Sequence, residues 1–239
     1  MAWVDFLGPA RDDARTLRFT DNLQPAPTGP RVMPKIEGTK ILGSGFEAQL
    51  LGAHAEITGS HERLGIEAVL KLMLATALLA RSALLVHSVA LSEGQGCAVF
   101  LGESGAGKST LGQLGASGGL RRLADELVVL DAEGWAHGTP WNIGLSEAAQ
   151  VRLLGTLGWS ERCRLEPVAA TDFLPLLLSN TLLADDRPAT RGTVFQLATG
   201  LLKAHQPERF FFPPSAAAAP FLRSTLLSKA ARPPRPTAG

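Results

Sequence analysis

Eight consecutive residues, Gly102-Glu103-Ser104-Gly105-Ala106-Gly107-Lys108-Ser109, hold the clearest chemistry in this chain. Glycines stand at both ends of the pattern, and a lysine and a hydroxyl follow, which is the spacing of a phosphate-binding loop (P-loop). Gly102 and Gly107 permit backbone angles and a close approach that a Cβ would block, so successive N–H groups turn toward phosphate oxygens. Lys108 reaches the terminal phosphates and Ser109 places its hydroxyl on Mg²⁺. Gly102, Glu103, Ser104, Gly105, Ala106, Gly107, Lys108, Ser109 and Thr110 are thus the expected contacts of a nucleoside triphosphate. A strand must lead into such a loop and a helix must leave it. Gly96 to Leu101 is a short apolar run that reads as a buried strand. Lys108 to Leu114 reads as the start of a helix whose positive end supports the anion.

The neighbouring elements bring further candidates to the loop. Leu84 to Leu91 reads as a strand, and the turn Ser92-Glu93-Gly94-Gln95-Gly96 makes it the hairpin partner of the loop strand. An antiparallel strand directly upstream points to a mixed sheet. A histidine inside such an apolar run, His87, is by itself a core residue with satisfied ring nitrogens. The hairpin, however, sets it beside the loop strand, where an imidazole near the γ-phosphate is reasonable. After the loop helix, Leu120 to Ala124 and Leu127 to Asp131 are two short apolar runs around Asp125-Glu126. Asp125 lies seventeen residues after Lys108. A strand-end acid there holds Mg²⁺ or accepts the proton of an attacking hydroxyl, the competing reading being a solvated turn. Glu126 would face the other way on a strand, unless a bulge brings both acids to one site.

Taken together, His87-Ser88-Val89, the loop from Gly102 to Ser109, and Leu123-Ala124-Asp125-Glu126-Leu127-Val128 resemble the HPr kinase/phosphorylase family. That family has a strand histidine, a Gly-Glu-Ser-Gly-x-Gly-Lys-Ser loop and an Ala-Asp-Asp-x-Val segment at similar separations. The resemblance covers residues from about 83 to 131. It implies a mixed α/β sheet with flanking helices, related to phosphoenolpyruvate carboxykinase, and ATP-dependent phosphorylation of a serine hydroxyl on a protein or peptide. It also implies roles: Asp125 as general base, Lys108 and the loop amides on the phosphates, His87 beside the transferred group. Ser109, Asp125 and Glu126 would be the Mg²⁺ ligands. Glu126 stands where the family has a second aspartate, and the family's downstream glycine-rich segment is not found. A small-molecule hydroxyl kinase and a non-catalytic nucleotide-binding switch are the alternative readings.

The remaining chain is read more coarsely. Residues 1–60 form a β-rich lead-in with strands at Thr16 to Phe19 and Glu47 to Leu51, packed on a kinase domain over 61–230, with a disordered tail at 231–239. Ser60 caps a helix from Glu62 to Arg81. Ser146 to Leu157 and Thr171 to Leu183 are expected as helices, Arg162 to Val168 as extended, Thr193 to Ala198 as a strand, and Ala216 to Lys229 as a last helix. His137 and Trp141 fall in a loop that could border the acceptor pocket. Asp185-Asp186-Arg187-Pro188 reads as a solvated turn, Arg191 as a surface residue, and Phe210-Phe211-Phe212 as core packing at a chain turn or an exposed patch. The 239 residues carry a net charge of +1 and two cysteines. Near-neutral charge suggests neither a nucleic-acid nor a membrane partner. Cys97 and Cys163 in apolar contexts read as free thiols, and the N-terminus lacks the apolar core of a signal peptide, which together suggest a cytoplasmic protein. A homo-oligomer is possible by family resemblance.

Overall fold

The computed structural model describes residues 16–19, 35–37, 39–43, 45–51, 54–59, 63–141, 145–183, 185 and 187–230. The expected tail at 231–239 lies outside them. The described residues divide into two compact units, one running to Arg81 and taking in Leu182–Thr193, the other formed by Ser82–Thr181 and the chain from Val194 onward.

The first unit carries β1 (Thr16–Phe19), β2 (Lys35–Glu37), β3 (Lys40–Gly43), β4 (Phe46–Leu51), β5 (His54–Gly59) and α1 (Arg63–Leu79). Its sheet has the order β1-β5-β4-β3-β2. Strands β2 to β5 form an antiparallel meander, and β1 joins β5 in parallel. Ile41, Ala48, Ala55 and Ile57 of the sheet share one core with Val69, Leu72 and Met73 of α1. The expected boundary at residue 60 therefore moves to Arg81: the apolar face of α1 is buried on this small sheet. Asp185, expected in a solvated turn, is buried and takes bonds from Arg187 Nε (2.9 Å) and Nη2 (2.6 Å). Asp186 lies outside the described residues.

The second unit follows with β6 (Ala83–Glu93), β7 (Gly96–Leu101), α2 (Lys108–Ser117), β8 (Arg121–Asp131), β9 (Trp135–His137), β10 (Ala148–Trp159), β11 (Arg164–Pro167), α3 (Ala170–Asn180), α4 (Pro188–Ala204, whose first residues belong to the first unit), β12 (Glu208–Phe212) and α5 (Ala218–Ala230). Its seven-stranded mixed sheet runs β11-β12-β10-β7-β6-β8-β9. Strand β9 also pairs with the start of β10, so five strands close into a ring. β7, β10 and β12 run parallel, whereas β6 is antiparallel to both β7 and β8. The β6–β7 hairpin turns through Gly94, whose φ of 58° suits the tight loop that its lack of a Cβ permits.

Helices α2 and α5 cover one face around Val89, Leu91, Ala98, Phe100, Leu111 and Leu222. Helix α3, with Phe173 and Leu177 buried, packs on β6 and β7 outside that cluster. Phe210 anchors the cluster by stacking on Phe100 (5.6 Å), Phe212 (5.3 Å) and Phe221 (5.5 Å). The run Phe210–Phe212 thus belongs to strand β12 and not to a turn. Its middle residue Phe211 faces the other way, beneath the Arg164 guanidinium at 3.9 Å.

Three elements differ from expectation. Residues 148–159 are a strand, because β10 lies between β7 and β12 and is buried on both faces, which leaves an apolar run without a diagnostic period. Residues 193–198 are helical within α4, which starts on Pro188 and buries Val194, Ala198 and Leu201 at helical spacing. The two runs around Asp125 are a single eleven-residue strand. Among the described residues no helix is long and apolar enough to cross a membrane.

Both cysteines are free thiols. Cys97 is fully buried in β7, and burial pushes its thiol up to about 12, opposed by Arg152. The folded state thus favours the protonated thiol. That stabilisation is complete below the ordinary value of 9.0 and is lost as pH rises toward 12. Thermal unfolding is expected to show a falling Tm above pH about 9 that is reduced in Cys97→Ala. An unchanged alkaline slope in the variant would refute the assignment.

Candidate functional site

The site is built where β7 gives way to α2. The chain leaves the sheet at Leu101, passes through 102–107 and enters the helix at Lys108. Gly105 and Gly107 have φ of 84° and 98°, the left-handed region in which a side chain is strained. Gly107 caps α2 without any side-chain hydrogen bond, and the first turn holds no acidic residue. The first N–H groups of the helix are therefore not taken by a side-chain cap, and its positive end is not neutralised locally. A Cβ on Gly102 would stand 2.7 Å from the Ala106 methyl, so the start of the loop closes tightly on its middle.

Lys108 folds back across this loop, its Nζ donating to the carbonyls of Gly102 (2.6 Å) and Glu103 (3.1 Å). Burial lowers its pKa from the usual lysine value, and the charge of Asp125 opposes that shift. Asp125 sits in the middle of β8, opposite Val89, and is 6% exposed. Ser109 Oγ donates to its Oδ1 at 3.4 Å, and Arg122 Nη1 to its Oδ2 at 3.2 Å. Gly112 of α2 lies close by: a Cβ there would stand 3.2 Å from Asp125 Oδ2, a tight contact.

His87 is the one exposed residue within the buried strand β6, so it is not a core histidine. It shares a cavity of about 510 Å³ with Gly102, Lys108, Ser109, Thr110 and their loop neighbours. Glu126 is not brought to this group. It pairs in register with Ser88, next along the strand from Asp125 and so on the opposite face. The only register shift in the β6–β8 ladder falls at Ala90/Leu91, opposite Arg122 to Ala124, before the acidic pair, and so does not realign the two carboxylates. His137 and Trp141 also lie off the cavity: His137 bonds Asp131 at 2.7 Å, and Trp141 is buried.

Two cavity residues were not expected from the sequence, Trp159 and Asn180. Trp159 ends β10, the strand read as a helix. Asn180 ends α3, where an isolated bridge between Thr181 and Val86 continues the sheet past the last residue of β7. Only the exposed tryptophan at the close of an apolar run could have signalled either one.

The assembled groups are a glycine-rich loop entering a helix N-terminus that has no side-chain cap, an ammonium, a hydroxyl against a buried carboxylate, and an imidazole. The hydroxyl and carboxylate oxygens suit Mg²⁺, a hard cation that takes one or two carboxylates together with phosphate and water. No protein-family model and no curated protein matches the chain.

Proposed function

We propose that the protein is an ATP-dependent kinase of the HPr-kinase-like type, which transfers the γ-phosphoryl group to a serine hydroxyl of a protein or peptide. The contact of Ser109, which lines the cavity beside the glycine loop and Lys108, with Asp125, buried and outside that lining, carries this reading. The loop amides and Lys108 bind the phosphates of ATP, and Lys108 exchanges its two carbonyl partners for phosphate oxygens. Ser109 and Asp125 would hold Mg²⁺, which would neutralise phosphate charge there. Asp125 accepts the acceptor's hydroxyl proton as the serine oxygen bonds to the γ-phosphorus and the bond to the β-phosphate oxygen breaks, releasing ADP. Arg122 fixes the orientation of that carboxylate, and His87 donates toward the transferred group. Two free thiols suit work in the cytoplasm.

Incubation with γ-labelled ATP and Mg²⁺ against serine peptides and small hydroxyl compounds tests the reading. Label is expected on a peptide serine; label only on a small molecule would move the acceptor class. The placement of Glu126 away from the loop favours one other reading, a nucleotide-binding switch, for which ATP binds and no acceptor is labelled.

A further inference from the structure

We propose that the indole of Trp159 is the platform on which the base of the bound nucleotide stacks, an inference that rests on the nucleotide reading of the loop. Trp159 is 49% exposed although it closes a buried strand. Its position is nonetheless fixed. One side packs on Phe212, with ring centroids 4.9 Å apart and planes at 39°. Its benzo edge lies against Gly107, where a Cβ would stand 2.9 Å from Cζ2. Trp159 also lines the cavity that contains the loop. A braced, half-exposed aromatic ring beside the glycine loop is suited to stack a planar base at little cost in side-chain entropy.

The sheet order sets which end of the nucleotide reaches it. β7, which feeds the loop, has β6 on one flank and β10 on the other. His87 of β6 and Asp125 of β8, the groups assigned to the γ-phosphoryl, lie on the β6 flank. Trp159 lies on the β10 flank. A triphosphate laid across the loop with its terminal phosphate toward Asp125 thus carries its ribose and base toward Trp159. Gly107 then serves a second purpose, since any side chain there would displace the platform from the cradle.

Calorimetric titration of the full chain, Trp159→Ala and Trp159→Phe with Mg-ATP and with Mg-tripolyphosphate tests this. Trp159→Ala is expected to weaken ATP about tenfold and Trp159→Phe by less, with tripolyphosphate unchanged in both. Unchanged ATP affinity in Trp159→Ala overturns the stack. So does an equal loss of both ligands, because the indole would then merely support the loop. A wild-type chain that binds neither ligand refutes the nucleotide reading itself, whereas tripolyphosphate binding with an insensitive ATP affinity refutes only the stack.

Discussion

Asparagine in place of Asp125 is expected to lower phosphoryl transfer by about 10²–10⁴-fold, the usual contribution of a positioned general base. The side-chain shape is kept, so Mg-ATP affinity should fall by no more than about tenfold. The amide cannot take up the acceptor's proton, and it offers Arg122 no negative charge. With its oxygen toward Ser109 it turns N–H groups at the Arg122 guanidinium; flipped, it accepts from Arg122 and donates to the Ser109 hydroxyl oxygen. Either way Arg122, 15% exposed, is left without an anion. A stability loss of about 2 kcal/mol should accompany the change, visible as a lower midpoint in denaturant. Single-turnover rates at saturating ATP, well below the melting transition, separate the two effects. Transfer at the normal rate would disprove the base assignment.

Lys108→Ala is expected to weaken both ATP and inorganic tripolyphosphate by about 10–100-fold, the worth of a charge-assisted bond to phosphate. Equal affinity in variant and wild type would show that the lysine does not face the ligand. The same side chain predicts a pH effect with two opposite signs. Burial lowers the Lys108 pKa, with Asp125 opposing. Ligand affinity, which needs the ammonium, should therefore decline with rising pH sooner than a lysine of ordinary pKa 10.5 would cause. The fold bears the cost of the charge instead, so Lys108 contributes a stability that increases as pH rises past its folded pKa. In Lys108→Ala both slopes should shrink.

The candidate site was legible in the sequence to the extent that it depends on local backbone. The loop announces itself because its glycines, lysine and hydroxyl answer requirements set within eight residues. The strand before it and the helix after it follow from the same stretch, and His87 enters through a hairpin only two residues wide. Asp125 was legible as a candidate but not as a mid-strand residue, since two polar residues in a row look like a break in an apolar run. The alternation of strand side chains argues against Glu126 joining it, and the ladder's only register shift falls before the acidic pair. What stayed hidden comes from distant pairing. β10 meets β7 and β12 on both edges and is buried on both faces, so its period is lost and Trp159 seems to follow a helix. Asn180 arrives beside Thr181, which makes a single bridge to Val86. α1 belongs with the small sheet through contacts of Val69, Leu72 and Met73 that no spacing rule assigns.

The ring formed when β9 pairs with both β8 and β10 has a consequence for association between copies. Among the described residues it leaves β11 as the outermost strand of the seven-stranded sheet. An unpaired rim of N–H and C=O groups invites another chain to add a strand, and cross-β growth begins at such rims. Here the rim is four residues long and reads Arg164-Leu165-Glu166-Pro167. It bears charges of both signs, linked at 2.7 Å, and ends on a residue with no N–H to offer. Such a rim is a poor template for an added strand beside the phenylalanine-rich β12.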